Sequence, residues 1–234
     1  MSFGKMWNIF VDELINGAYV NILIGLRNTL IIAILGLFIG IIIGTLIAAI
    51  KVAENRNTIA KVFARIGDIY TALFRGTPIV VQLLVFHYIV FPVLGINLNA
   101  VIEAVLVFGM NSSAYVAEIM RGGILSVDNG QYEAGRTLGM GYTSTMVRIV
   151  FPQAIKNVLP TLGNELIMLL KDTSVASFIT VVDLTKAFTL IPGKTYEYMV
   201  PYLMLAVCYL ILVLLATVLI RFVERRLRKS ERKR

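Results

Sequence analysis

The sequence predicts an all-α integral membrane protein, and three observations carry that prediction. The 234 residues are 58% hydrophobic and only 15% charged, with a mean hydropathy of +0.81, which lies outside soluble globular composition. The apolar residues gather into stretches long enough to cross about 30 Å of hydrocarbon, which takes about 18–20 helical residues. The basic residues fall on segments that would share one side of a bilayer.

In chain order, Met1 to Asn16 holds Lys5 and then Asp12-Glu13 and lacks a small-residue cleavage site, so it does not read as a cleaved leader. Met6, Trp7, Phe10, Val11 and Leu14 recur at helical spacing, which predicts an interfacial helix over 1–18. The first span, 22–50, has Arg27 as its only charge, and Gly36, Gly40 and Gly44 form a smooth strip for close helix packing. Residues 51–65 make a basic turn. Residues 58–94 are too long for one span and contain Arg75-Gly76-Thr77-Pro78, which predicts a break in mid-segment. A short loop, 91–99, precedes the third span at about 99–120. The largest polar loop is 121–157, and a fourth span climbs from near Leu159 through 157–180. Residues 181–197 read as a structured loop or short helix, and 198–220 form a charge-free fifth span.

The net charge of +8 is distributed as a membrane orientation signal rather than as a nucleic-acid surface. Eight basic residues crowd 221–234, four lie at 51–65 (Lys51, Arg56, Lys61, Arg65) and four at 121–156 (Arg121, Arg136, Arg148, Lys156). The other side holds only Lys5, Lys186 and Lys194. The positive-inside rule therefore sets the N-terminus outside and the C-terminus inside. That requires an odd number of spans, and five fit the segments. The reading is one transmembrane domain over 1–234: core 22–225, cytoplasmic loop 121–157, basic tail 225–234.

Several chemistries are excluded. No G-x4-G-K-[ST] loop is present to cradle a nucleotide. One histidine, His87, precludes a two-His metal site, and no G-x-S-x-G elbow accompanies it. His87 reads as a hydrogen-bonded packing residue. A single cysteine, Cys208, precludes internal disulfides and reads as helix packing.

The loop 121–157 carries the strongest signal. Asp128 or Asn129 can cap a helix that begins near Gly130–Gln131, with Glu133 suited to its first turns. Leu138-Gly139 would end it. A second short helix, Thr143 to Val150, would present Met146, Val147 and Val150 before Pro152. Such a hairpin is either a protruding docking knob or an ordinary amphipathic interfacial element. The stretch Glu133-Ala134-Gly135, Gly139 and Ile149-Val150-Phe151-Pro152 reads E-A-A-x3-G-x9-I-x-L-P, with Gly135 for the second Ala and Phe151 for Leu. This resembles the EAA loop of binding-protein-dependent ABC importer permeases.

The wider sequence extends the likeness: Tyr115-Val116-Ala117-Glu118 through Arg121-Gly122-Gly123, Phe151-Pro152-Gln153-Ala154, Leu159-Pro160-x3-Asn164-Glu165, Leu170-Lys171-Asp172-Thr173-Ser174, and Arg75-Gly76-Thr77-Pro78-x3-Gln82-Leu83. Over about 22–225 the chain is similar to permease subunits of polar amino acid ABC importers, the histidine, glutamine, arginine and cystine group. The resemblance implies a type I importer fold. It implies a homodimer or a pair with a sister permease, two ATPase subunits and an extracytoplasmic solute-binding protein. It makes the chain non-catalytic, with ATP and Mg bound by the partner ATPase and no cofactor of its own. It assigns ATPase coupling to Gln131, Glu133, Ala134, Gly135, Leu138 and Gly139. The departures at 135 and 151 keep small size and apolarity.

Ionisable groups within a bilayer are costly and face cavities or one another. Glu165 lies about eight residues, or about 12 Å, into the fourth span, with Lys171 and Asp172 further along. Arg75 sits at the break in the second segment. An amino acid offers an ammonium, which Glu165 can meet, and a carboxylate, which Arg75 can meet bidentately. The other reading is a structural ion pair of Arg75 with an acid. Asn111, Ser112, Ser113 and Tyr115 are expected wall residues, Asp172-Thr173-Ser174 a helix cap, and Glu118 a structural group near the inner surface. A carboxylate in a low-dielectric path favours basic amino acids, with glutamine next. A stand-alone secondary transporter or channel using Arg75 and Glu165 is the alternative function.

Overall fold

A computed structural model describes residues 2–53 and 58–231; Arg56 and the last tail residues, 232–234, lie outside them. Every regular element among the described residues is helical. Helix α1 (Phe3–Glu13) runs through a wide π-type turn, Leu14–Ala18, into α2 (Tyr19–Val52). Gly17 takes φ 107° in that turn, a left-handed value that separates the two helices. Then follow α3 (Thr58–Gly76), α4 (Ile79–Val85), α5 (Phe91–Val93) and α6 (Ala100–Leu125). Helices α7 (Asn129–Thr137), α8 (Tyr142–Thr145) and α9 (Phe151–Asp172) come next. A 3-10 turn over Thr173–Ile179, α10 (Leu184–Thr189), α11 (Pro192–Thr195) and α12 (Met199–Glu231) complete the chain.

Among the described residues, three helical stretches have the length and apolarity to cross a membrane, Phe3–Val52, Ala100–Leu125 and Met199–Arg226. The pair Thr58–Gly76 and Ile79–Val93 makes a fourth when joined. The expected break at Arg75–Pro78 is present, with Pro78 extended (φ −63°, ψ 139°) between α3 and α4. Helix α9, expected as the fourth span in chain order, is 22 residues long, about 33 Å. Glu165 and the terminal Lys171-Asp172 keep it less apolar than the other four. It also begins at Phe151 rather than near residue 157, and the second hairpin helix does not stop before Pro152. A π-type turn over Met146–Val150 carries α8 directly into α9, with the Phe151 N–H bonded to the Met146 carbonyl. Widening the turn relieves the carbonyl ladder ahead of a residue that has no N–H to give.

The chain divides into two compact units. The first comprises residues 1–36, 78–109 and 166–217. Its core is Phe10, Leu184, Phe188, Ile191 and Val200, against which Met6, Leu14 and Cys208 pack. The apolar face of α1 therefore rests on protein, leaving Trp7 41% exposed. Asp183 caps α10 by accepting the Thr185 and Lys186 N–H groups. Thr29 accepts from the Leu184 N–H at 3.2 Å and Asn28 donates to the Val182 carbonyl at 2.8 Å. His87 pairs with the buried Glu103, which gives His87 the hydrogen-bonded packing role the sequence suggests.

The second unit comprises residues 37–77, 110–165 and 218–234. One apolar cluster joins Ala48, Val116, Met120, Val158 and Leu162, and another joins Ile124, Val127, Val150 and Ala154. The glycine strip of α2 works here as read. A Cβ at Gly40 would lie 2.7 Å from Ser112 Oγ, and one at Gly44 2.7 Å from the Ser113 carbonyl oxygen. Only glycine lets α2 approach α6 so closely.

Candidate functional site

The hairpin follows from its caps. The Asp128 carboxylate accepts the Gly130 N–H at 2.6 Å and starts α7. Gly139, at φ 78°, supplies the left-handed residue after the helix. Gln131 is tied to α9 by the Gln153 amide at 3.1 Å. Gln131, Glu133, Ala134, Leu138 and Gly139 all face outward, and Leu138 is 79% exposed. Val147 follows the same pattern at 62% exposed, while Val150 is buried and Met146 packs inward.

Gly135 is the exception among the loop positions. It is buried, and a Cβ there would lie 2.6 Å from Thr145 Cγ2 and 3.1 Å from Ile149 Cδ1. The departure from the E-A-A pattern is thus a packing requirement between α7 and the chain at 145–149. Beneath the hairpin lies a cavity of about 340 Å³, walled by Val52, Ile124, Val127, Tyr132, Tyr142 and Met146 among others.

The candidate substrate residues, Arg75, Asn111, Ser113, Tyr115 and Glu165, occur in this same unit on α3, α6 and α9. Glu165 is 6% exposed and accepts from Ser112 Oγ at 2.9 Å. Asn111, 7% exposed, donates to the Phe74 carbonyl at 3.3 Å. Ser113 donates to the Met110 carbonyl and meets the Tyr70 hydroxyl at 2.6 Å. Arg75 is exposed, its guanidinium 5.6 Å from the centre of the Tyr115 ring. Among the described residues it makes no ion pair, so the structural-pair reading of Arg75 is not what the structure contains. Asp172 is exposed and makes no cap hydrogen bond, while Thr173 bonds back to the Leu170 carbonyl. The expected cap at 172–174 is therefore absent, because the chain stays helical through Asp172 and no free N–H group turns toward the carboxylate.

A third cluster was not legible in the sequence as a site. Lys51, 9% exposed at the end of α2, donates to Asp68 at 3.0 Å, Glu118 at 2.9 Å and Thr71 at 3.0 Å. Arg121 holds the other Glu118 oxygen through Nε and Nη2 at 3.1 and 2.9 Å. The only sequence signals were the i,i+3 pairs Asp68/Thr71 and Glu118/Arg121.

Residues 40–229 match the family described as binding-protein-dependent transport system inner membrane component. A putative glutamine transport system permease protein of Rickettsia bellii is 38% identical over 203 residues, covering 87% of this chain and 91% of that protein. An arginine transport system permease protein of Bacillus subtilis is 36% identical over 210 residues, 90% of this chain and 94% of its own length. A chain in the crystal structure of an amino acid ABC transporter with histidines is 40% identical with a TM-score of 0.79, covering 89% of this chain and 94% of that one. The chain belongs to this family and is a multi-pass inner membrane component of a binding-protein-dependent transport system.

Proposed function

We propose that this chain is the permease subunit of an ATP-driven importer of polar amino acids, taking basic amino acids or glutamine. The observation that carries the substrate is a buried carboxylate, Glu165, in the same compact unit as an exposed guanidinium, Arg75, that makes no ion pair among the described residues. Relatives that carry glutamine and arginine in their names support the same class. Glu165 receives the ammonium or a basic side chain, Arg75 the α-carboxylate, and Asn111, Ser113 and Tyr115 line the path.

The chain has five spans with its N-terminus outside and C-terminus inside, as its basic residues require. It forms one permease domain, and works as a homodimer or beside a sister permease. Gln131, Glu133, Ala134, Leu138 and Gly139 dock on an ATPase subunit, and Gly135 lets the hairpin close behind them. Two ATPase subunits bind the ATP and Mg, this chain binds neither and is not catalytic, and a solute-binding protein delivers cargo from outside. A self-sufficient secondary transporter would have no use for a capped hairpin with an outward leucine.

The test compares Glu165→Gln with the parent in proteoliposomes holding the ATPase and binding protein. Arginine uptake should fall about tenfold, as expected for loss of a charge-assisted bond, while glutamine uptake changes far less. Equal arginine uptake by mutant and parent would remove Glu165 from the path.

A further inference from the structure

We propose that Lys51 is a positioning residue for energy coupling, and that its ion knot makes the ends of α2, α3 and α6 move as one body with the docking hairpin. The inference rests on the importer reading above. Lys51 satisfies all three ammonium protons with acceptors on two other helices, Asp68 and Thr71 on α3 and Glu118 on α6. A compact ammonium with three fixed acceptors is a fastener, because it has no remaining donor for a ligand. With Arg121 on Glu118, the knot holds two positive and two negative charges, so it is neutral and well able to persist away from water.

Its placement gives the fastener a purpose. Val52, next to Lys51, and Ile124, one turn beyond Arg121, both wall the cavity under the hairpin. On the other side, α3 carries Arg75 one turn past Thr71, and α6 carries Ser112 and Tyr115 ahead of Glu118. The same two helices therefore hold the knot and the polar cluster. Displacement of the hairpin reaches α2 and α6 by packing, and Lys51 is the only described link by ion pair that ties both to α3. Neutral hydrogen bonds from Tyr70 and to the Phe74 carbonyl also join α3 to α6, so loss of Lys51 loosens the coupling of α3 to α2 and α6 without severing it.

The test measures uptake and ATP hydrolysis together for the full chain in proteoliposomes with its ATPase and binding protein. It uses Lys51→Met, the charge-matched double variant Lys51→Met/Asp68→Asn, and Thr71→Val, which keeps every charge. The outward face of the hairpin is untouched in each, so hydrolysis should stay near the parent rate. Uptake per ATP should fall about tenfold in both Lys51 variants, within the range of coupling free energies between sites. It should fall about threefold in Thr71→Val, which removes the Lys51 ammonium's bond to the hydroxyl and that hydroxyl's own bond to the Asp68 carbonyl while leaving both ion pairs in place. Unchanged uptake per ATP in the Lys51 variants overturns the proposal, and so does a proportional fall of uptake and hydrolysis, which marks a purely structural role. Should the Lys51 variants fail to reach the membrane, an unchanged ratio in Thr71→Val overturns it. A parent without ATP-dependent uptake defeats the importer reading itself and, with it, this inference.

Discussion

Lys51 and Arg75 are both cations of one compact unit, and they are used in opposite ways. Lys51 is buried, with three acceptors within 3.0 Å. Arg75 is exposed and rests on an aromatic ring, and among the described residues its planar fork of donors meets no carboxylate. Burial explains the contrast. An ammonium taken out of water must be matched donor for donor, whereas a guanidinium at an accessible surface can keep its donors for a transient partner. The lesson is that fixed partners mark a residue as structure, and unfilled donors beside an open surface mark it as a candidate for cargo.

The largest effect should come from the hairpin, where Glu133 resembles Arg75 in having an outward side chain. Glu133→Lys or Gly139→Asp should abolish uptake and stimulated ATP hydrolysis in reconstituted vesicles. Glu133→Lys should leave thermal unfolding within about 0.5 kcal/mol of the parent, as for an exposed substitution. Normal hydrolysis and uptake in both variants would show that the outward face is idle.

Next in size is a crossed pair that sets stability against transport. Lys51→Met should destabilise the protein by about 2–3 kcal/mol, below the usual cost of breaking a fully buried pair, since Asp68 is half-exposed and Glu118 keeps Arg121. Arg75→Met should cost under about 1 kcal/mol, the worth of an exposed cation–π contact, yet reduce amino acid uptake about tenfold through loss of a bidentate carboxylate contact. Thermal unfolding beside uptake assays measures both, and equal stability losses would erase the distinction between the two cations.

The smallest effect belongs to the tail, whose basic residues attract anionic lipid at about 1 kcal/mol each near the surface. Truncation after Arg226 should leave uptake by correctly inserted protein unchanged. A loss there would add a third kind of cation, one that binds a specific partner.

The helical architecture was readable because long apolar runs leave few alternatives in a bilayer. The break at Pro78, the Asp128 cap, the Gly139 turn and the packing strip at Gly40 and Gly44 were readable because each depends on local stereochemistry. The passage from α8 into α9 was not, since Pro152 signals a stop and only the wider turn at 146–150 removes the conflict. Among the site residues, Glu165 and Arg75 stood out as charges within apolar stretches. Their partners, Ser112 and Tyr115, belong to another helix, and sequence spacing says nothing about contacts between helices. Lys51 was hidden for the same reason. It reads as one more basic residue at a membrane surface until Asp68, Thr71 and Glu118 are brought around it by folding.

The crowding at Gly135 bears on how such hairpins can be exchanged between transporters. A permease whose loop carries alanine at this position needs a smaller neighbour than Thr145, or an Ile149 turned aside. Transplanting α7 alone from an E-A-A sequence into this chain would wedge the two arms apart, although every outward residue would be the right one. The graftable unit is therefore 128–150 as a whole. Compatibility with a foreign ATPase is decided partly by a pair of side chains, at 135 and 145, that the ATPase never needs to touch.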